Sequence, residues 1–226
     1  MKLSIIVPVL NEGEAIAALL GSLASLRARG AEVVVVDGGS GDGTIEHARP
    51  RADCVLSAPR GRALQMNAGA AAASGDVLLF LHADTRLPAG ADRLVIEGLQ
   101  RSGRAWGRFD VTIEGPQRLL PVIAFFMRMR SRLTGIATGD QAIFVRRDAF
   151  ETAGGFPPIA LMEDIAFCKA LKRIGWPLLL RERVVTSGRR WDRRGILRTV
   201  LLMWALRLAF FLGADPKALA RRYGYQ

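Results

Sequence analysis

Runs of almost uninterrupted apolar residues alternate with segments of helical periodicity through the first hundred residues of the chain. Residues 3–10, 33–36 and 77–81 are runs of this kind, and β-branched residues dominate the first two. Between them, apolar side chains recur at helical spacing over residues 16–26, and an Ala-rich helical segment covers residues 62–73. Strands that are apolar along their whole length are buried on both faces of a sheet. The pattern therefore predicts an α/β fold whose mostly parallel central sheet is flanked by helices.

A looser pattern follows residue 103. It predicts three more strands and two more helices, namely strands at 105–113, 142–145 and 178–180 and helices at 119–133 and 163–174. In open sheets of this class, ligands bind beyond the carboxyl ends of the parallel strands. We therefore expect residues 1–100 to form the nucleotide-binding half of the protein.

Composition excludes several classes of protein. The 50% of apolar and 23% of charged residues are the proportions of an ordinary globular protein, and they differ from those of disordered or collagen-like chains. Two cysteines, Cys54 and Cys168, are too few for a disulfide framework. Residues 1–10 resemble a buried strand more than a secretory signal peptide. We therefore expect a cytoplasmic protein.

Positive charge is concentrated in the second half of the chain. Residues 1–100 carry 9 basic and 11 acidic residues, whereas residues 101–226 carry 23 and 10. This asymmetry predicts contact with a polyanion, a phosphorylated substrate or an anionic membrane. Arginine-rich codon usage is the alternative explanation, because 28 of the 32 basic residues are Arg. Nucleic acid is not an expected partner, since aromatic residues make up only 7% of the chain and no nucleic-acid-binding motif occurs.

Polar residues follow two of the predicted strands. Asp37 opens a glycine-rich loop over residues 37–44, where the backbone can approach a ligand closely and the carboxylate can accept hydrogen bonds from a base or ribose. The glycine spacing does not fit a dinucleotide fingerprint, and no Walker A motif occurs. Asp84 follows the strand at 77–81 and is a candidate ligand for a divalent cation that bridges phosphate oxygens. The alternative is that Asp84 only caps a turn.

Two further motifs lie in the second half. Glu163 and Asp164 begin an apolar-periodic helix after the turn Gly154-Gly155-Phe156, a position where the helix dipole also favours carboxylates for purely structural reasons. Residues 187–191, Ser-Gly-Arg-Arg-Trp, carry guanidinium groups that could bind a diphosphate. A solvated basic loop with one packed Trp is the alternative interpretation of this second motif.

In this order and spacing, the motifs resemble those of the family 2 glycosyltransferases, whose catalytic domain has the GT-A fold. The resemblance covers nearly the whole chain and rests on residues 4–12, 37–44, 61–69, 75–76, 84, 154–156 and 163–164. Residues 185–191, the apolar segment after them and the Tyr223 tail resemble a small stand-alone bacterial subgroup known as selenodomain-associated transferases. That name records an association and specifies no substrate.

The resemblance implies a role for each matching residue. Asp164 would be the catalytic base, and Asp84 would be the metal-binding member of an Asp-x-Asp motif. The residues implied around the nucleotide are Pro8, Asn11, Glu12, Asp37, Arg62 and Asn67. The sequence departs from the family at His82, where the family has the first Asp of the motif, and imidazole suits Mn²⁺ better than Mg²⁺ if it touches the metal. It departs again at Ser187, where processive synthases have Gln, so processivity is not inferred.

These residues predict an inverting glycosyltransferase that uses a nucleoside-diphosphate sugar, a UDP-sugar in the first instance, with Mn²⁺ or Mg²⁺. Asp164, with Glu163 as the alternative, would deprotonate the acceptor hydroxyl, and Arg190 would stabilise the leaving diphosphate. Acceptor or sugar contacts are predicted for Asp140, Gln141 and Trp191. The competing hypotheses are a nucleotidyltransferase of similar architecture and a non-catalytic membrane- or nucleic-acid-binding module.

The predicted organisation is a catalytic domain at residues 1–190, with an acceptor half at 101–190, and a C-terminal helical appendage at 191–226. Within the appendage, residues 196–213 are nearly long enough to cross a bilayer, but an arginine near the centre of a spanning helix costs about 2.5 to 3.5 kcal/mol. Arg198 and Arg207 point to opposite sides, so no clean amphipathic stripe is evident. We therefore predict peripheral contact with an anionic membrane and a lipid-linked acceptor, with packing of this helix on the domain as the alternative.

Overall fold

The computed structural model describes residues 1–224, apart from the side chains of Arg190, Arg193 and Arg194. Its strands are β1 (Leu3–Val9), β2 (Glu32–Asp37), β3 (Cys54–Ser57), β4 (Val77–Phe80), β5 (Thr85–Arg86), β6 (Trp106–Glu114), β7 (Phe144–Arg146) and β8 (Leu178–Ser187). Its helices are α1 (Gly13–Ser22), α2 (Ala24–Ala28), α3 (Thr44–Ala48), α4 (Arg62–Ala72), α5 (Ala91–Ser102), α6 (Leu120–Thr134), α7 (Arg147–Thr152), α8 (Glu163–Ile174), α9 (Arg189–Arg194), α10 (Ile196–Phe211) and α11 (Pro216–Tyr223).

The strands form one mixed sheet in the order β3-β2-β1-β4-β7-β6-β8-β5. The first four strands of this order are parallel, as the apolar runs predicted. β7 then pairs antiparallel with both of its neighbours, and β5 is antiparallel to β8. β6 and β8 are parallel, with a bulge at Phe109 and Asp110. The mostly parallel character therefore belongs to the first half of the chain, and the sheet as a whole is mixed.

Helices bury both faces of the sheet. The odd-numbered residues of β1 face an apolar cluster with α1, α2 and α5, whereas Ile6 faces a second cluster with α4, α7 and α8. Because side chains alternate along a strand, burial on both faces explains why β1 and β2 are apolar throughout.

The C-terminal helices pack on the second of these clusters. Leu206 of α10 and Leu219 and Tyr223 of α11 are buried there together with residues of α8. Packing of this helix on the domain was the alternative to membrane contact in the sequence analysis. No helix within residues 1–224 is long and apolar enough to cross a membrane.

The structure differs from the sequence prediction around β8. This strand continues to Ser187, through the charged triplet Arg181-Glu182-Arg183, where only residues 178–180 were predicted as strand. The predicted basic loop at 187–191 instead enters the short helix α9. Residues 183–187 pair with β6, and two of them pair also with β5, whereas Arg181 and Glu182 fall in the register shift and have no partner in β6. Pairing of this kind leaves little trace in a single sequence.

Candidate active site

The parallel strands β1 and β2 end side by side, with Val9 in register with Asp37. Gln65 of α4 joins the two ends, because its side-chain amide donates hydrogen bonds to the carbonyls of Val9 at 2.8 Å and Val36 at 2.9 Å. Gly38 lies directly over this amide, and a Cβ there would come within 3.1 Å of it. The glycine therefore allows the loop to close over Gln65.

Asp37 and Asn11 shape the glycine-rich loop. The buried Asp37 carboxylate accepts hydrogen bonds from the main-chain N–H groups of Gly39 at 2.8 Å and Ser40 at 3.0 Å. Asn11 has a φ of +53° and accepts a hydrogen bond from the N–H of Gly41 at 3.0 Å. These contacts fix the loop conformation in advance of any ligand.

The end of β4 and the end of β8 meet next to this loop. The main-chain carbonyl of Asp84 accepts a hydrogen bond from the N–H of Ser187 at 3.1 Å. Two residues on, the Arg189 guanidinium lies 3.5 Å from the Glu12 carboxylate. Burial raises the pKa of Glu12, Arg189 opposes this shift, and the negative charge of Asp84 adds to it. Glu12, Asp84 and Arg189 therefore lie in one electrostatic environment.

The acid pair begins α8 after Met162, whose φ is +70°. The Asp164 carboxylate accepts hydrogen bonds from the N–H groups of Gly139 at 3.1 Å and Ile165 at 2.7 Å. Glu163 is buried, and this burial, reinforced by the adjacent Asp164 carboxylate, raises its pKa to about 7. The two neighbouring carboxyl groups therefore differ in environment, and Asp164 is the more accessible of the two.

His82 connects the acid pair to the end of β4. Its ring lies against Gly139, where a Cβ would overlap the imidazole, and its Nδ1 is 3.4 Å from the Asp140 carboxylate. Since Gly139 donates to Asp164, the strand end and the acid pair share one short turn. The segment containing Asp84 thus lies beside Asp140 and Asp164, although these residues are far apart in sequence.

Three of the predicted site residues make contacts that hold other parts of the protein in place. The carboxamide of Asn67 pairs with the main chain of Phe156, at 2.7 Å and 2.9 Å, and so holds the Gly-Gly-Phe turn. Gln141 is completely buried and donates to the Phe109 carbonyl and the Ser131 hydroxyl, which removes it from the predicted acceptor contacts. Trp191 packs against the small cluster of Ile113, Leu120 and Ala124.

The other predicted residues lie at the carboxyl edge of the sheet. Pro8 belongs to β1 and pairs with Val36 in β2. Arg62 begins α4, and its positive charge acts on Glu163, opposing the rise in the pKa of that residue. The side chain of Arg190 falls outside the described part of the chain.

Comparison with known families shows which protein family this chain belongs to. The family model of glycosyl transferase family 2 matches residues 4–154, which is more than half of the chain. The chain belongs to glycosyl transferase family 2. The matched range contains the Asp37 loop, Asp84 and Asp140, so the family pattern runs through the strand ends described above.

Solved structures place the family 2 chain in a known fold. TarS residues 1–349 from S. aureus, in complex with UDP, match with a TM-score of 0.66 at 22% identity, covering 83% of this chain and 60% of that one. The mannosyltransferase PcManGT from Pyrobaculum calidifontis, in complex with GDP-Man and Mn²⁺, matches with a TM-score of 0.65 at 24% identity, covering 92% and 60%. The fold is that of the GT-A glycosyltransferases.

A third structure has the same fold. It is glucosyl-3-phosphoglycerate synthase from Mycobacterium tuberculosis in complex with Mn²⁺, UDP and glucosyl-3-phosphoglycerate, with a TM-score of 0.58 at 19% identity, covering 82% of this chain and 70% of that one. The family 2 chain spans about 60% of the length of the TarS fragment and of PcManGT. No curated protein matches it in sequence.

In the family 2 chain, Asp84 follows β4 and lies among the acidic groups that a divalent cation would need. Among the described residues, no three His, Cys, Asp or Glu side chains converge on one point. The negative charge of Asp84 does act on Glu12, so the two carboxylates share one electrostatic environment. Mg²⁺ and similar hard cations are commonly held by one or two carboxylates together with substrate phosphates. The residues present therefore fit a divalent cation whose coordination a bound diphosphate would complete.

Two arginines near the acid pair were not predicted as site residues in the family 2 chain. Arg130 of α6 and Arg207 of α10 both interact electrostatically with Asp164 and Asp140. Burial, together with repulsion from Arg207, lowers the pKa of Arg130 to about 10. A single arginine in the apolar run of residues 199–212 was the available sequence signal for Arg207.

Proposed function

We propose that this protein transfers a sugar from a UDP-sugar to a hydroxyl group of an acceptor, with inversion at the anomeric carbon. One observation supports the proposal most directly. The ends of β1, β2 and β4 lie side by side, and the turn at Gly139 connects them to Asp164. Membership of family 2 supports the activity. TarS and glucosyl-3-phosphoglycerate synthase, which share the fold, are complexed with UDP in their structures.

The nucleotide would bind across the ends of β1 and β2. The loop after Asp37 is already held in shape by its own hydrogen bonds, so little conformational entropy remains to be lost on binding. Pro8, Asn11 and Glu12 form the facing segment. We assign Asn67 a positioning role, because its carboxamide is engaged by the main chain of Phe156.

The diphosphate would lie next to Asp84. A divalent cation bound there supplies positive charge to the leaving group when the donor is present. Asp84 would hold that cation, with Glu12 as its negatively charged neighbour. Arg189 lies at the same edge, and we propose that it and Arg190 donate hydrogen bonds to the diphosphate oxygens.

Asp164 would remove the proton from the acceptor hydroxyl. The acceptor oxygen then forms a bond to the anomeric carbon while the bond from that carbon to the diphosphate breaks. The two main-chain N–H groups that bind the Asp164 carboxylate fix its orientation. Glu163 has a pKa of about 7 and is buried, so it is less suited to meet an acceptor.

The acceptor would be lipid-linked, and the protein would contact an anionic membrane through α6 and α10. Large apolar side chains are exposed at helical spacing on both helices, namely Val122, Phe125, Phe126, Met129 and Leu133 on α6 and Leu197, Leu201, Trp204, Leu208 and Phe211 on α10. An unpaired apolar surface of this kind marks an interaction site. The exposed Arg198 next to the α10 stripe and the positive charge of the second half complement an anionic leaflet.

The sequence showed no such stripe because α10 is apolar on its opposite face as well. Leu202, Leu206 and Phe210 pack on the core, and the exposed apolar residues lie on the opposite face of the helix. A helix that is apolar on two faces has no clear amphipathic pattern. Arg198 and Arg207 flank the exposed stripe, one on each side, so the stripe itself is uninterrupted by charge.

A donor screen tests the proposed activity. The protein is incubated with UDP-, GDP- and dTDP-sugars and Mn²⁺ in the presence of a membrane lipid extract, and the released nucleotide is identified. We expect UDP from one or more UDP-sugars, and its release is expected to stop in Asp164→Asn. Release of nucleoside monophosphate, or failure of every nucleotide to bind, would overturn the proposal.

A further inference from the structure

Arg130 and Arg207 lie under the exposed faces of α6 and α10, on the side of the acid pair. The Nη2 of Arg130 and the Nε of Arg207 are both shielded from solvent, and neither has a hydrogen-bond partner among the described residues. Leaving a buried donor unpaired costs about 1–3 kcal/mol, and more for a charged group. Two such donors in adjacent arginines therefore require an explanation.

The two arginines also have the same charge. Burial lowers the pKa of Arg130, and the positive charge of Arg207 lowers it further. Asp164 and Asp140 attract both groups but have partners of their own, since Asp164 accepts two main-chain N–H groups and Asp140 lies against His82. Two like charges that each have a shielded, unpaired donor are stabilised by an anion that binds both.

The chemistry of the donor set indicates which anion fits. Guanidinium groups bind phosphate through paired, charge-assisted hydrogen bonds and remain charged at every physiological pH. The diphosphate of the donor is assigned to a different place, at Asp84 and Arg189. Arg130 and Arg207 belong to other helices and act on Asp164 and Asp140. An anion here would therefore come with the acceptor.

We infer that Arg130 and Arg207 bind a phosphoryl group of the acceptor, close to the hydroxyl that Asp164 deprotonates. The inference rests on the proposed function, and it adds the chemical class of the acceptor. The phosphoryl group is either that of a phosphorylated lipid or that of a soluble phosphorylated molecule. The exposed apolar stripes on the same two helices are compatible with the lipid.

The first experiment titrates inorganic phosphate into protein saturated with UDP and Mn²⁺, so that the diphosphate position is occupied. We expect calorimetry to detect phosphate binding to the wild-type protein and a loss of about tenfold or more in affinity in Arg130→Gln and in Arg207→Gln. Arg173→Gln is the matched control, because it removes the same charge from an exposed position of α8. Its phosphate affinity is expected to equal that of the wild type.

UDP affinity is measured on every variant and separates the two proposals. If UDP does not bind the wild type, the proposed function fails. If UDP binds but phosphate does not bind the wild type, or binds Arg130→Gln and Arg207→Gln as it binds Arg173→Gln, the phosphoryl subsite is wrong. The wild-type titration is decisive by itself if either variant fails to fold.

A second arm identifies the source of the phosphoryl group. Flotation compares phosphatidylcholine vesicles carrying a polyprenyl monophosphate with phosphatidylcholine vesicles carrying a fatty-acid carboxylate, which adds equal negative charge without a further phosphoryl group. A preference for the first that Arg207→Gln abolishes indicates the lipid. Equal recovery on both vesicles, with phosphate binding intact in calorimetry, indicates a soluble acceptor.

Discussion

The Asp164 carboxylate accepts a hydrogen bond from the main-chain N–H of Gly139 at 3.1 Å. Gly139 has no side chain to separate it from the His82 ring, so this hydrogen bond links the start of α8 to the segment after β4. The link places Asp164 near Asp140 while leaving Glu163 buried behind it. This geometry distinguishes two adjacent carboxyl groups that the sequence pattern places together in the first turn of a helix.

Asp164→Asn is expected to retain donor binding and to lose turnover by about 10²- to 10⁴-fold, the usual contribution of general-base catalysis. The amide keeps the shape of the side chain but cannot take a proton. UDP affinity by calorimetry and turnover by UDP release check the two parts separately. Asp148→Asn, an exposed carboxylate paired with Arg146, is the control. A wild-type rate in Asp164→Asn would reduce Asp164 to a helix-capping residue.

Asp84→Ala is expected to remove the dependence of UDP affinity on Mn²⁺ and to leave the fold intact, because the backbone contact of Asp84 with Ser187 does not need its side chain. The measurement is calorimetry of UDP binding with and without Mn²⁺. Asp76→Ala, an exposed carboxylate at the opposite end of β4, is the matched control and should keep the dependence. An unchanged Mn²⁺ effect in Asp84→Ala would rule out Asp84 as the ligand.

Glu163 should make the stability of the protein depend on pH. Its pKa is raised from 4.5 to about 7 by burial, so the stability present below pH 4.5 is lost as the pH rises through 7. At about 1.4 kcal/mol per pKa unit the loss is at most about 3.5 kcal/mol. Glu163→Gln should not show this loss.

Chemical unfolding of both proteins at pH 5 and pH 8 measures this difference. The stability of Glu163→Gln relative to wild type is expected to rise between the two values. Glu151→Gln, which removes an exposed carboxyl group from α7, should show no such rise. Equal differences at both pH values would mean that Glu163 ionises normally.

The exposed stripe of α10 should bind anionic membranes. Trp204 and Leu208 are 70% and 62% exposed, so the double substitution Trp204→Ser, Leu208→Ser should weaken liposome binding without disturbing the core. Flotation is expected to show binding that rises with anionic lipid and falls with salt, since each basic residue near the surface contributes about 1 kcal/mol. Removal of residues 195–213 would also delete the buried Leu206, so the point substitutions are the cleaner test.

Ile174→Ser, which changes an exposed apolar residue at the end of α8, is the control for this experiment and should bind as the wild type does. Equal recovery of the wild type on neutral and anionic vesicles, or on neither, would contradict membrane contact.

The sequence alone determined the first half of the fold and the order of the polar motifs. β1, β2 and β4 are buried on both faces, so their apolar character is strong enough to predict without partners. The Asp37 loop, Asp84 and the acid pair follow or begin such elements. Their positions were therefore predictable from local pattern and from the rule that ligands bind at the carboxyl ends of parallel strands.

Tertiary structure alone decided which polar side chains are free to contact a ligand and which are engaged by other parts of the protein. Gln141 and Asn67 look like site residues in the sequence, but partners far away in the chain engage their carboxamides. Arg130 and Arg207 look like ordinary members of a basic half, yet in the folded chain both interact electrostatically with Asp164. Burial and pairing of a polar group depend on residues that are close only in the folded chain, and a single sequence carries no local signal for them.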